Sequence, residues 1–341
     1  MRATARRAGR RACASVLRRQ VLVMGLGMLG LAAGVHAGNA SGGNAVHSVT
    51  DWLSRVEAAP RKHNYIGTMV VSAGAGAMSS ARIWHACTAD LQVERVDALT
   101  GPARSSLRRD DRVVTLLPDQ KLVRIERHDA LGRFPDLLRS TGAAIADFYG
   151  VRPAGTERVA GFEADVVQLA PKDAHRFGYR VWTERRTGLV VKLQTLGHEG
   201  GVLEQAAFSE LQLDVPLRPE KLIRMMTPPA GWRVERNEAV KTTAAAEGWQ
   251  LKPGVPGFEA MDCYRRGEAA GAMHCVFSDG IAAVSLFVEP AQPGKPTREG
   301  VLAAGATHTL MRRLQDWTIT AVGEVPPQTL RTFVQSLERR P

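Results

Sequence analysis

Residues 176–208 read RFGYRVWTERRTGLVVKLQTLGHEGGVLEQAAF. Strand-forming runs at 177–184, 188–196 and 202–213 are separated by a Thr-Gly-Leu turn at 187–189 and a glycine turn around Gly200-Gly201. β-Branched and aromatic residues bounded by turn residues at this spacing predict consecutive antiparallel strands, a meander rather than helices.

The same period extends toward the N-terminus. Runs at 64–72, 80–87, 90–97, 112–117, 121–127 and 162–170 are short, alternating or β-branched, and separated by Gly, Pro and Asp. Before them, Val49, Trp52, Leu53 and Val56 recur at helical spacing behind Ser48 and Asp51, a capping-box pattern that predicts a short amphipathic helix. Leu137, Leu138, Ile145 and Phe148 suggest helical pieces between Phe134 and Tyr149. Residues 46–217 therefore read as one curved antiparallel sheet with two helical segments. Pro216, Pro219, Pro228 and Pro229 mark a divide, with the linker at 218–230.

A second domain is expected over 231–341, with strands at 258–264, 272–278, 281–288 and 317–322. Its last helix follows Pro326-Pro327 and places Leu330, Phe333, Val334 and Leu337 on one face. The segment 291–299 reads as a polar loop. The fold class is α+β.

The first twenty residues hold seven arginines and no acid, and run into the apolar stretch Val21 to Ala33 and then Val35-His36-Ala37. This is the pattern of a secretory signal peptide, residues 1–37, with the mature chain expected to begin at Gly38. The apolar run of 13 residues is short of the roughly 20 that cross a bilayer as a helix. Of 45 basic residues, 38 remain after these seven arginines leave, against 34 acids, so the formal charge falls from +11 to +4. The basicity of the whole chain belongs mostly to the signal, and nucleic acid is not an expected partner.

Cys13 leaves with the signal, so Cys87, Cys263 and Cys275 remain. Cys263 and Cys275 flank a turn-rich connector between two strands, which makes a cross-strand disulfide geometrically natural in an oxidising compartment. Cys87 is expected to be a buried free thiol. His274 beside Cys275 could be set with Cys263 as metal ligands, but the spacing lacks the close ligand pairs of zinc sites, so no metal and no cofactor are expected. Gly25-x-Gly27-x-x-Gly30 lies inside the apolar leader, and no G-x-S-x-G, Walker or H-E-x-x-H motif occurs. Asp110-Asp111 reads as a solvated turn. No catalytic residues are assigned, and a binding protein is expected rather than an enzyme.

Tyr65, Met69, Trp84, Phe148 and Trp182 are large residues of the first domain. They are either plain core or the lining of an acyl-chain cavity inside a half-open sheet, with Trp84 and Trp182 on its inner face.

The strand-turn pattern over 176–208 resembles the periplasmic RseB/MucB family. The resemblance continues through Trp249 and Val255-Pro256-Gly257-Phe258, similar to that family's W…LPxGF element, and through Gly323-Glu324-Val325-Pro326-Pro327-Gln328-Thr329, similar to its G-E-[LV]-P-P-Q-T segment. It covers about Ser48 to Leu337. Glu184 and Val190 stand where the family commonly has Asp and Pro, a slight change to one hairpin.

The resemblance implies a LolA/LolB-like unclosed barrel capped by helices, followed by a small α/β domain tied to anti-sigma-factor binding. It implies a periplasmic negative regulator of the envelope-stress sigma factor that binds the periplasmic domain of an RseA/MucA-like anti-sigma factor. Such a regulator shields its partner from site-1 proteolysis and is released by lipid or lipopolysaccharide. A periplasmic lipid or lipoprotein carrier is the alternative, and a homo-oligomer is left open. Arg265, Arg266 and strand 281–288, read as a cationic turn beside an exposed strand edge, are the candidate partner contacts.

Overall fold

The computed structural model describes residues 49–340 except 111, 128–141, 238–239, 253, 266–271 and 293–298. The leader, with its expected cleavage site, and residues Leu137, Leu138 and Arg266 lie outside the described residues.

The chain opens with α1 (Val49–Lys62), which buries Trp52, Leu53, Val56 and Ala59 along one face. Six strands follow: β1 (Tyr65–Ala73), β2 (Met78–Cys87), β3 (Gln92–Ala98), β4 (Ser105–Arg109), β5 (Arg112–Leu117) and β6 (Leu122–Arg127). After α2 (Gly142–Phe148) come β7 (Tyr149–Val159), β8 (Phe162–Pro171), β9 (Gly178–Glu184), β10 (Val190–Leu196) and β11 (Val202–Leu213). A short helix α3 (Pro219–Arg224) leads to β12 (Arg233–Asn237).

These twelve strands form one sheet in the order β12-β6-β5-β4-β3-β2-β1-β11-β10-β9-β8-β7. Its two end strands each pair on one side only among the described residues, so the barrel is unclosed. All pairings are antiparallel except β12 with β6, which is parallel.

The small domain holds β13 (Val240–Thr242), β14 (Trp249–Leu251), β15 (Glu259–Arg265), β16 (Met273–Ser278), β17 (Ala283–Pro290), β18 (Gly300–Ala304), β19 (Thr307–Leu314) and β20 (Trp317–Gly323). It closes with α4 (Pro327–Ser336) and β21 (Leu337–Arg339). Seven of its strands form a sheet ordered β13-β15-β16-β17-β20-β19-β18, and β14 pairs β21 apart from it.

Two layers cover opposite faces of the large sheet. Tyr65 stacks on His85 with ring centroids 4.7 Å apart, and the His85 Nε2 donates to the Pro60 carbonyl of α1 at 2.6 Å. Burial pulls the His85 pKa down, but hydrogen bonds with Cys87, Glu94 and Pro60, with the Glu94 charge, push it up to about 9. The alternate residues Trp84, Ala86 and Val93 face the other way and receive Leu222 and Ile223 of α3. Next to them Leu107, Val114 and Val123 pack with Met226, Trp232 and Val234.

The expected linker at 218–230 is therefore docked on the large sheet through the apolar residues between its prolines. Residues 233–237, expected to begin the second domain, extend the first. The short run Arg-Val-Glu-Arg-Asn has one apolar residue, Val234, and only its neighbours on β5 and β6 make it a strand. β4, β7, β18 and β19 were also absent from the sequence reading, because exposed charges and small residues interrupt their alternation.

The small domain's core gathers Trp249, Phe277, Leu286, Ile319, Leu330, Phe333 and Val334 between the seven-stranded sheet and α4. Cys263 and Cys275 stand directly opposite on β15 and β16 and are joined by a disulfide. Cys87 is free and half-buried, its thiol donating to Asn64 Oδ1 at 3.4 Å. Replacing Cys263 and Cys275 by serine is expected to lower unfolding free energy by about 3 kcal/mol through lost loop closure. Urea denaturation checks this, and peptide mapping without reductant should leave Cys87 as the alkylated cysteine of the mature chain.

Candidate functional site: the junction between the two sheets

The two domains meet around Arg176, which is fully buried although arginine is almost never buried without a partner. Its Nε donates to Asp279 Oδ2 at 2.7 Å, and Asp279 is also fully buried. One terminal nitrogen donates to Asp173 and the other to the Pro256 carbonyl. The rings of Phe148 and Phe258 lie 4.2 and 5.1 Å from its central carbon. One cation thus joins the loop before β9, the end of α2 and two loops of the small domain.

Asp279 is held by more than the ion pair. Its Oδ1 accepts the backbone N–H groups of Ile281 and Ala282 at 3.0 and 2.8 Å, and the Tyr149 hydroxyl donates to Oδ2 at 3.1 Å. Burial first, then the nearby Tyr179 and Asp279, hold the Tyr149 hydroxyl well above its usual pKa, so it stays a donor.

The sequence segments singled out in the second domain converge here. Gly257 has φ +82°, and a Cβ there would lie 2.4 Å from the Phe148 ring and 2.6 Å from Arg176, so both backbone angle and space require glycine. Val255-Pro256-Gly257-Phe258 therefore supplies a carbonyl, a gap and an aromatic face to one guanidinium. In the other segment, Gln328 donates to the Ala174 carbonyl and Thr329 Oγ1 to the His175 carbonyl at 2.8 Å.

A second contact lies beside the first. Glu204 of β11 accepts from the Ala306 N–H at 3.4 Å in the turn between β18 and β19. The Phe177 ring lies 6.2 Å from His198 and 5.9 Å from His308. Burial, and then the charge of Glu204, push the Glu324 carboxyl up to about 7.

The five aromatic and methionine candidates do not share one wall. Tyr65, Met69 and Trp182 belong to one buried cluster with Phe208 and Leu211. Trp182 donates to Glu157 at 2.8 Å, with the Lys192 ammonium 4.0 Å from its ring centroid. Trp84 is turned to the α3 face, away from Tyr65 and Met69, because successive residues of β2 alternate. Phe148 stacks on Arg176 at the junction.

The partner-contact candidates also fall differently. β17 is not an edge: it pairs β16 on one side and β20 on the other. The edge at this end of the small sheet is β18, which the sequence pattern did not reveal. Arg265 is half-exposed and its Nε donates to Glu247 at 3.0 Å. The thiols of Cys263 and Cys275 are spent in the disulfide, and His274 stacks on Phe287, so they form no ligand set.

The MucB/RseB N-terminal domain family matches residues 48–226, and the MucB/RseB C-terminal domain family matches residues 243–338. The chain belongs to the MucB/RseB family. The sigma factor AlgU regulatory protein MucB of Pseudomonas aeruginosa is 28% identical over 307 residues, covering 84% of this chain and 90% of that relative. The sigma-E factor regulatory protein RseB of Escherichia coli K12 is 23% identical over 293 residues, covering 84% and 89%. A crystal structure of MucB in complex with MucA(peri) superposes with a TM-score of 0.65 at 26% identity, over 86% of this chain and all of that one. A crystal structure of MucB gives 0.64 at 25% identity.

Arg176, Asp279, Tyr149 and Glu324, which the structure places at the junction, were not singled out from the sequence. The signal open to the sequence was that Arg176 begins the stretch 176–208 and that Gly257 and Glu324 lie inside the family-like segments 255–258 and 323–329.

Replacing Arg176 by methionine leaves Asp279 as a buried charge without its counter-ion and is expected to cost about 3–5 kcal/mol of stability. Urea unfolding monitored in both domains measures it, and the double change Arg176→Met/Asp279→Asn should recover part of the loss.

Glu324 holds its proton more tightly folded than unfolded, so the folded state is favoured at low pH and loses that advantage as pH rises from the ordinary carboxylate range through about 7. Glu324→Gln should flatten the fall in melting temperature between about pH 5 and pH 8. An unchanged profile would show that another group titrates there.

Proposed function

We propose that this protein is a periplasmic negative regulator of an envelope-stress sigma factor, acting by binding the periplasmic domain of a membrane anti-sigma factor of the RseA/MucA type. The observation that carries this reading is the two-domain match to the MucB/RseB family, together with the MucB–MucA(peri) complex whose MucB chain is matched along its whole length. Membership of a fold alone would not supply a function. The same architecture gives a binding role a physical basis: two sheets locked at a buried ion pair present a surface whose geometry depends on both.

Export is supported by the arginine-rich leader and by the disulfide, which suits an oxidising compartment. No helix among the described residues is long and apolar enough to cross a membrane. The protein acts by binding, not by catalysis, and shields the anti-sigma factor by covering its cleavable segment. Lipid or lipopolysaccharide releases the partner by binding the free form more tightly, and the partner must then weaken lipid binding by the same factor. Tyr65 and Met69 share a buried cluster with Ala59 of α1, so a ligand reaching them has to enter that packed core. The small domain carries the main partner surface and the large domain modulates it.

The mature chain should bind the periplasmic domain of the cognate anti-sigma factor and slow its site-1 cleavage in a purified reaction. Calorimetry with the full mature chain, with and without lipopolysaccharide fragments, reads both halves. Absence of partner binding would remove the regulatory function; binding indifferent to every lipid would remove only the release step. A carrier would instead transfer lipid between vesicles without binding the anti-sigma domain.

A further inference from the structure

One face of the large domain carries several cations that lack an ion pair among the described residues. Arg109 and Arg112 are directly opposite each other across the β4–β5 hairpin, and the register continues to Arg127 on β6. Like charges in directly opposed positions destabilise a sheet. Beside this pair lies the exposed Asp110, 3.7 Å from Arg109. Arg109 and Arg112 lie two residues from the buried Leu107 and Val114, and Arg236 lies two residues from Val234, so alternation puts all three on the face that α3 covers.

On α3 itself, Pro219 and Leu222 are buried, while Arg218, Lys221 and Arg224 are exposed at a spacing of three. Leu222 packs on Val93, and Val93 pairs with Arg109, so helix and arginine pair are neighbours. Exposed Met225 follows directly, 40% accessible. Residues 218–237 hold five basic and two acidic residues, a local excess of +3 in a mature chain whose net charge is +4. Arg112, Arg218, Lys221, Arg224 and Arg236 make no ion pair among the described residues.

We propose that this face, formed by α3 and the β4–β5 hairpin, docks the protein on the anionic surface of a lipid bilayer. A set of long cations spread over a helix and a hairpin, Arg109 alone among them paired to an exposed acid, fits a plane of many phosphates, and each one near such a surface strengthens binding about fivefold. Capture of an acidic peptide by strand addition needs a free edge. β4 and β5 are interior strands, and of this set Arg236 alone stands on an edge strand, β12. The exposed Met225 beside the cations adds an apolar contact at the headgroup level. The proposal is independent of the anti-sigma partner, and its test contains none.

The test is co-sedimentation of the full mature chain with vesicles of phosphatidylcholine alone and of phosphatidylcholine mixed with phosphatidylglycerol. Binding to the anionic vesicles at low salt is expected, with loss at about 1 M salt, where the Debye length is about 3 Å. Arg109→Glu/Arg112→Glu and Lys221→Glu/Arg224→Glu should each weaken binding at least about tenfold. Arg312→Glu/Arg331→Glu, the same charge change at exposed positions of the small domain, should change it less than about twofold. Circular dichroism establishes that each variant is folded, and the helix pair carries the test if the hairpin pair is not. No binding to anionic vesicles, binding insensitive to salt, equal loss in the small-domain control, or binding to polyglutamate but not to vesicles would each overturn the proposal.

Discussion

A buried guanidinium has to be matched on every side, and Arg176 is matched by groups from both domains: Asp173 and Phe148 from the first, Asp279, Pro256 and Phe258 from the second. Neither domain alone contains all of its counter-charges and aromatic faces. The pair with Asp279 forms only when the two sheets are docked, so the buried guanidinium ties their relative placement to one geometry. Gly257, Thr329 and Gln328 then become requirements of the same contact.

That arrangement suits a regulator. Apolar contacts between domains tolerate sliding, whereas a bidirectional network of short hydrogen bonds has one good geometry and fails sharply away from it. The neighbouring Glu324 works in the opposite sense, since burial and then the charge of Glu204 make its ionisation costly at the junction. The junction therefore combines a strong lock with a weaker element sensitive to protonation. Any coupling between the two domains has to cross it.

The large sheet also shows how one layer can serve two surroundings. α1 covers one face around β2 and β7–β10, while α3 and the segment leading to β12 cover the opposite face of β2–β6. Trp84 and Tyr65, one residue out of register across β1 and β2, consequently belong to different cores. Treating the large aromatic residues as one cavity wall failed for this reason: strand period gives alternation, but which face is covered depends on a helix distant in sequence.

The sequence by itself determined the strands at 177–184, 188–196 and 202–213, the helices opening the first domain and closing the second, and a plausible pairing of Cys263 with Cys275. These depend on local period, turn residues and a short loop. It also carried the family, because the glycine and proline segments that mark it are constrained by backbone geometry. Only the tertiary structure decided that β12 belongs to the first sheet, that β17 is central and β18 the edge, and that Arg176 is buried against Asp279. Strand order and ion pairing join residues about a hundred positions apart, and nothing in the local pattern of either partner distinguishes a buried arginine from a solvated one.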